Sequence, residues 1–194
     1  MAGYIYNAIM LKTTNHRFSV DDYDRMIDTG VLTENDRVEL IRGEILDKMP
    51  IGDPHCACVN RLNRFFVQNT GLGAVVAVQN PIRLDDSQPE PDVAVLQPRD
   101  DYYGSRKPRP DEVLLLIEVA DSTLEFDRTV KGPLYAEAGI REYWIVNLVD
   151  DCIEIHRDPQ ADGSYGDVRV ARRGERIEVS ALPELTVAVS DAIG

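Results

Sequence analysis

The sequence predicts a single α/β domain of 194 residues, and three observations lead to that prediction. The densest apolar run, Val113–Ala120, has the composition of a central strand that is covered on both faces. Segments with helical spacing and capping residues stand before and after this run. No internal repeat, low-complexity linker or second apolar core divides the chain, so one α/β domain over residues 1–194 is the simplest account.

The first part of the chain is predicted to form an arm, a helix and a strand pair. Residues 1–17 show no strong periodicity and are expected to form an extended N-terminal arm. Ser19 is a typical helix N-cap, which predicts a helix over 20–29 that ends at Gly30. Two short strands are expected on either side of the turn Arg42-Gly43, because apolar runs flank a pair of turn residues.

A second helix is predicted from Pro54 to Thr70, because proline suits the first helical turn and Gly71 can end the helix. Its apolar residues fall at helical spacing and indicate core packing. Strands are expected at 74–78 and at 89–96, and the two prolines that begin the second of these disfavour a helix before it.

The segment that follows the central strand is predicted to be helical over 127–138, with Gly132-Pro133 distorting its middle. Four strands are expected after this helix, in two pairs: 142–148 with 153–157, and 165–171 with 176–179. The tail over 182–193 is apolar enough to pack on the domain. We therefore expect a core over about 18–158, followed by C-terminal strands over 159–194.

The charge balance of the chain argues against unassisted binding to nucleic acid. The formal net charge is −13, which repels a phosphate backbone, so binding to DNA or RNA needs a local basic patch or bound cations. The basic residues near 99–109 and 169–176 are interleaved with acids and are predicted to form a solvated surface.

The composition also indicates a compartment. No apolar run approaches the roughly 18 residues that span a bilayer, so we expect no membrane segment. The odd number of cysteines, three, does not form a disulfide framework and suits a reducing compartment. We expect a cytoplasmic protein.

One carboxylate within the central strand points to a functional site. Glu118 interrupts the apolar run, and burying it there costs several kcal/mol unless it is paired, hydrogen-bonded or bound to a metal. Asp92 begins another strand, and if the two strands are neighbours the carboxylates can converge on a hard cation such as Mg²⁺. Lys131 in the next helix and Glu39, a lone acid between two apolar residues, are further candidates. The alternative is structural: Asp92 begins its strand, Glu118 pairs with an arginine or lysine, and Lys131 is solvated.

Two further interpretations stay open. Five residues have the side chains of a zinc site, although a C-x-C pair on a helix points its sulfurs apart and buried thiols are the simpler interpretation: His55, Cys56, Cys58, Cys152 and His156. Gln79 either faces the acids from a neighbouring strand or is an ordinary residue of the sheet.

Taken together, these segments resemble the Uma-two family of restriction-endonuclease-like proteins, within the PD-(D/E)XK nuclease superfamily. The order and spacing of the matching segments are specific although each is weak alone: Phe18-Ser19-Val20, residues 37–44, Pro89-Glu90-Pro91-Asp92, Ile117-Glu118-Val119, Asp127-Arg128, Lys131 and residues 135–146. The resemblance implies a restriction-endonuclease-like core, with a central mixed β-sheet flanked by helices.

The resemblance also implies a chemistry. Asp92 and Glu118, with the carbonyl of Val119, would hold Mg²⁺, for which Mn²⁺ could substitute, while Glu39 would contribute a further acid. The lysine that the superfamily places two residues after the glutamate is absent, and Lys131 is the matching position in the resembled family. His55 would lie near the site and is either a substrate contact or a helix-start histidine with no role.

The function implied by the resemblance is a metal-dependent endonuclease that hydrolyses phosphodiester bonds of DNA. Cutting both strands of a duplex is easiest with two copies of one site related by two-fold symmetry, so we expect a homodimer. A catalytically inactive binding or assembly module with the same fold is the alternative, and the net acidity and the displaced lysine motivate it. A nuclease acting on RNA or on a substrate presented by a protein is a third reading.

Overall fold

The computed structural model describes residues 15–33 and 35–194, so most of the predicted arm over 1–17 lies outside the described residues. The described residues contain five α-helical segments: α1 (Val20–Asp28), α2 (Asp53–Thr70), α3 (Leu124–Phe126), α4 (Gly132–Glu137) and α5 (Val189–Ile193). They also contain ten strands: β1 (Val38–Ile41), β2 (Glu44–Asp47), β3 (Val75–Val78), β4 (Val93–Leu96), β5 (Val113–Ala120), β6 (Glu142–Asn147), β7 (Cys152–Pro159), β8 (Tyr165–Arg172), β9 (Arg176–Val179) and β10 (Leu182–Ala188).

A six-stranded mixed sheet in the order β3-β4-β5-β6-β7-β8 forms the centre of the molecule. Strands β5 and β6 are parallel, and every other neighbouring pair in this sheet is antiparallel. Helices cover both faces, which confirms the predicted α/β fold with a central mixed sheet. Strand β5 is interior to the sheet and almost wholly buried, as its apolar run predicts.

The two faces of the sheet belong to separate apolar clusters. On one face Phe66 of α2 packs near Trp144 of β6, together with β9, β10 and α5. On the other face Tyr135 of α4 packs edge-on against Tyr143, with ring centroids 5.0 Å apart. Because β5 and β6 carry alternating side chains into both clusters, their backbones are held in place from both sides.

Helix α1 and strands β1 and β2 form a small N-terminal layer that closes one side of a cleft. Ser19 caps α1 as predicted and forms a capping box with Asp22, and Tyr23 packs with the buried Leu40 of β1. Strands β1 and β2 form the predicted hairpin, in which Arg42 and Gly43 both have positive φ, as a tight hairpin turn requires.

One predicted strand pairing is wrong. Strand β8 pairs with β7 at the edge of the central sheet, and β9 pairs with β10 instead of β8. The reason is burial: Ile177 and Val179 of β9 are fully buried in the cluster under the sheet, whereas most of β8 is exposed. Packing of the β9–β10 hairpin against that face therefore outweighs pairing with β8.

The helix predicted over 127–138 is present in a modified form. A π-helical turn over Asp127–Lys131 separates α3 from α4. Gly132-Pro133 follows this turn directly, so the predicted distortion is confirmed. Within the described residues, no helix has both the length and the apolar character needed to cross a bilayer.

Candidate active site

The two carboxylates singled out in the sequence lie side by side. Strands β4 and β5 are antiparallel neighbours with Val93 opposite Ile117, and this register continues to place Asp92 opposite Glu118. The backbone N–H of Asp92 donates to Oε2 of Glu118 at 3.4 Å. Both side chains are almost completely buried, so the sheet itself brings the acids together at the mouth of a cleft.

Asp92 is fixed by three donors from three different elements. Its Oδ2 accepts from Nε2 of His55 at 3.0 Å and from the backbone N–H of Val119 at 2.9 Å. Its Oδ1 accepts from the amide of Gln79 at 3.3 Å. Burial alone would raise the pKa of Asp92, but the hydrogen bonds and the charge of His55 more than offset it, and the pKa lies below its usual value. Asp92 is thus held as a carboxylate.

The local backbone at His55 and at Gln79 directs both side chains toward Asp92. His55 stands in the first turn of α2, and its Nδ1 is buried without a partner among the described residues. Gln79 follows β3 with φ 52°, a strained backbone for a residue other than glycine. Its N–H donates to the carbonyls of Pro91 and Asp92. This turn aims the Gln79 amide at the acids.

Glu118 has a different environment. Its Oε1 accepts from Nζ of Lys131 at 2.9 Å and from the hydroxyl of Tyr135 at 2.8 Å. Burial raises the pKa of Glu118 to about 8, against the opposing effect of the Lys131 ammonium. The two neighbouring acids therefore differ: the pKa of Asp92 lies below its ordinary value, whereas burial raises the pKa of Glu118 above its ordinary value.

Lys131 is buried at the centre of the acids and is not the solvated residue of the structural alternative. Its Nζ lies 2.9 Å from Glu118 and 3.5 Å from Oε1 of Glu39. Burial alone would lower the pKa of Lys131, but the carboxylates of Glu118, Glu39 and Asp127 raise it above its usual value. Glu39 is held in turn by the N–H of Glu90 at 3.1 Å. The pairing of Glu118 with a lysine, the other part of that alternative, is present.

Two site residues had no role assigned from the sequence, Asp127 and Tyr135. Asp127 is buried, lines the cleft and accepts from the hydroxyl of Thr123 at 2.7 Å. Burial raises its pKa to about 6, which Lys131 and Thr123 oppose. Asp127, Lys131 and Tyr135 are spaced four residues apart along one helical segment, and this spacing could have identified them from Lys131 alone.

Asp92, Glu118, Asp127 and Lys131 line a cleft of about 640 Å³. The cleft lies between the β1–β2 hairpin, the start of α2 and the segment from Ser122 to Lys131. The lining is strongly acidic, with seven carboxylates against three basic groups. The acids are Glu39, Asp47, Glu90, Asp92, Glu118, Glu125 and Asp127, and the bases are Arg37, Lys48 and Lys131. Such a cleft attracts cations and repels a bare phosphate.

The donor set fits a hard cation that keeps most of its water. Oδ1 of Asp92 and Oε2 of Glu118 each accept only one long hydrogen bond, so both oxygens keep free lone pairs. Within residues 15–33 and 35–194, no three His, Cys, Asp or Glu side chains converge as a metal site. Two carboxylates supplemented by a backbone carbonyl and waters suit Mg²⁺ or Mn²⁺, whereas zinc takes at least three protein ligands.

Three residues of the zinc interpretation, Cys58, Cys152 and His156, lie in ordinary packing environments, whereas His55 contacts Asp92. Cys58 and Cys152 are buried free thiols, and the thiol of Cys58 donates to the carbonyl of Ala192 at 3.2 Å. His156 packs between the rings of Tyr143 and Tyr165, with both centroids 5.6 Å away. The thiol and the imidazole are thus engaged in core contacts.

A mixed sheet flanked by helices, with an Asp and a Glu adjacent on neighbouring strands and a lysine beside them, defines the class of restriction-endonuclease-like folds. The sequence profile of the Uma2 family, described as "Putative restriction endonuclease", matches residues 20–190. The chain belongs to this family.

A solved structure shares the fold. It is described as a "putative nuclease belonging to DUF820 from Anabaena variabilis ATCC 29413" and superposes with a TM-score of 0.70 at 15% sequence identity. The match covers 91% of this chain and 97% of the other. No curated protein sequence matches the chain.

Proposed function

We propose that this Uma2 protein is a metal-dependent endonuclease that hydrolyses phosphodiester bonds of DNA. The observation that carries the proposal is the pair of buried carboxylates, Asp92 and Glu118, with Nζ of Lys131 2.9 Å from Glu118. A pair of acids this deep in a sheet is costly, and a cation bound between them would recover that cost. Membership in a family described as "Putative restriction endonuclease" supports the same reading.

In this proposal Asp92, Glu118 and the carbonyl of Val119 hold Mg²⁺, with Mn²⁺ as a substitute. The bound ion would supply a Lewis acid for a phosphodiester oxygen and lower the pKa of a coordinated water. His55 and Gln79 hold Asp92 in place, and either can also contact substrate. Lys131 orients the attacking water or balances charge on the phosphate, and Glu39 positions Lys131.

The acidic charge of the cleft explains why the metal ion would be required for binding DNA as well as for hydrolysing it. The cleft lining is acidic, and the basic cluster near 99–109 is largely engaged: Arg99 pairs with Asp101, and Arg106 with Glu112. A bound divalent cation would offset part of the repulsion of a phosphate backbone. We therefore expect DNA binding to depend on the metal.

The first experiment is calorimetric titration of Mn²⁺ and Mg²⁺, followed by incubation with supercoiled plasmid. Wild type should bind metal and nick or cleave the plasmid, whereas Glu118→Gln should lose both. Glu125→Gln is the matched control, because it removes a carboxylate that is exposed and lines the same cleft away from Asp92. Cleavage of single-stranded RNA in place of plasmid would redirect the substrate assignment.

A specific observation favours a second function, that of a catalytically inactive binding or assembly module. Glu118 already has buried partners in Lys131 and Tyr135, so its burial is satisfied without a metal. Wild type that binds no metal and leaves plasmid intact would establish this second reading.

Two further proposals complete the assignment. We place the protein in the cytoplasm, because its three cysteines are all free thiols. We also propose that it works as a homodimer, since two copies of one site related by a two-fold axis can cut both strands of a duplex.

A further inference from the structure

Strand β8 is an open edge of the central sheet. It pairs with β7 on one side, and on the other side no strand of the described residues adjoins it. Residues 166–170 are all exposed, and the side chains of Val168 and Val170 are 54% and 47% exposed. An edge strand presents a row of unpaired backbone N–H and C=O groups, and proteins normally block such an edge with charges, proline or a covering element.

The charged residues of β8 disfavour pairing with most other strands, but they are complementary to those of a second copy of β8. The sequence alternates as Asp167, Val168, Arg169 and Val170. In an antiparallel pair of identical strands, residues opposite each other must have the same backbone orientation, so the two-fold axis passes through a residue position. With the axis at Val168, Asp167 of each copy faces Arg169 of the other.

Neighbouring registers are unfavourable. With the axis at Asp167, two aspartates face each other across the interface, and with the axis at Arg169 two arginines do. Like charges directly opposite destabilise a strand pair, whereas opposite charges stabilise it. With the axis at Gly166 neither charge meets its opposite, and with the axis at Val170 Asp167 meets only Arg173, which lies beyond the end of β8. The sequence of β8 therefore selects one register for its own pairing.

We propose that two copies of this chain associate through β8, antiparallel, with Val168 on the two-fold axis and Asp167 opposite Arg169 of the second copy. The two central sheets then join into one continuous sheet. Strand β5, which carries Glu118, lies three strands inward from the interface, so both clefts stay open. This association does not depend on the nuclease proposal, and the two can fail separately.

Charge reversal with rescue tests the register. By sedimentation velocity over a range of concentrations, wild type should show a reversible dimer, and Asp167→Arg or Arg169→Asp should weaken it at least tenfold. The double variant Asp167→Arg, Arg169→Asp restores opposite charges and should return to within about threefold of wild type. Because Asp167 also faces Arg157 of β7 within its own chain, the thermal midpoint of each variant is measured alongside.

A single cysteine tests the position of the axis. In a Cys56→Ser background, which leaves only buried native thiols, Val168→Cys should oxidise to a disulfide-linked dimer. Val170→Cys is the matched control: it is similarly exposed on the same face but would lie opposite Gly166 of the second copy, out of disulfide reach. Monomer at every concentration, failure of the double variant to restore the dimer, or equal cross-linking at the two positions would each overturn the proposal.

Discussion

The buried carboxyl of Glu118 should make the protein lose stability as the pH rises from 5 to 8. Its pKa is about 8 in the folded protein and close to the ordinary 4.5 in the unfolded chain. Between these values the folded state holds a proton that the unfolded state has released. Stability from this group is therefore fully present below pH 4.5 and is lost as the pH rises through 8.

The size of this effect follows from the two pKa values. A tenfold change in proton affinity corresponds to about 1.4 kcal/mol, so moving the pKa from 4.5 to about 8 corresponds to a loss of about 3–4 kcal/mol between pH 5 and pH 8. That is a large part of the net stability of an ordinary domain. Asp127, with a pKa of about 6, adds a loss of the same sign at the acidic end.

Urea unfolding at pH 5, 6, 7 and 8 measures this loss for wild type and for Glu118→Gln. The difference in free energy of unfolding between the two proteins should change by several kcal/mol over this range, with the variant gaining relative to wild type at higher pH. Glu178→Gln, at an exposed carboxylate on β9, reports the effect of losing one surface charge. A difference curve for Glu118→Gln that is flat from pH 5 to 8 would refute the reasoning.

Three other predictions concern the partners of the two acids. His55→Gln removes the donor that orients Asp92 and should weaken Mn²⁺ binding 10–100-fold by calorimetry, as loss of a second-layer partner of a ligand usually does. Lys131→Met leaves Glu118 buried without its cation and should cost about 3–5 kcal/mol of unfolding free energy at pH 8, measured in urea. Tyr135→Phe deletes one hydrogen bond to Glu118 and should cost about 1.5–3 kcal/mol in the same assay.

Each control variant changes either a neighbour of the mutated residue or another lysine that pairs with an acid. Cys56→Ser, at the residue next to His55, should leave Mn²⁺ affinity unchanged. Lys107→Met breaks a half-exposed pair with Asp24 and should cost less than about 1 kcal/mol. A Lys131→Met protein as stable as Lys107→Met would show that the buried pair contributes nothing.

The strands at the centre of the sheet could be predicted from the sequence more reliably than the pairing of β8 and β9. The apolar run of β5 and the proline-flanked start of β4 are local signals, so both strands could be located, although their acids could be expected to meet only if the strands were neighbours. The partner of β9 could not be predicted, because the choice between β8 and β10 depends on which face Ile177 and Val179 bury. That is a property of the assembled core.

The contacts around Asp92 and Glu118 show the same difference between local signals and contacts made only in the folded core. Lys131 was a candidate from its place in the helix after β5, but its burial between Glu118 and Glu39 comes from a hairpin and a helix meeting over the sheet. His55 reaches Asp92 from the start of α2, on an element far away in sequence. Contacts of this kind have no periodic signature, so residue type alone could not assign them.

The π-turn over Asp127–Lys131 has a consequence for the length of this helix. The N–H of Gly132 donates to the carbonyl of Asp127, which also accepts from the hydroxyl of Tyr143 at 3.3 Å. A π-turn holds one residue more than an α-helical turn, and each residue rotates the side-chain direction by roughly 100°. Deleting one of residues 128–130 would leave a regular α-helical turn, in which Asp127 and Lys131, then three residues apart, still share a face of the helix. The segment should therefore tolerate a shortening by one residue better than it tolerates the loss of the Asp127 or Lys131 side chain.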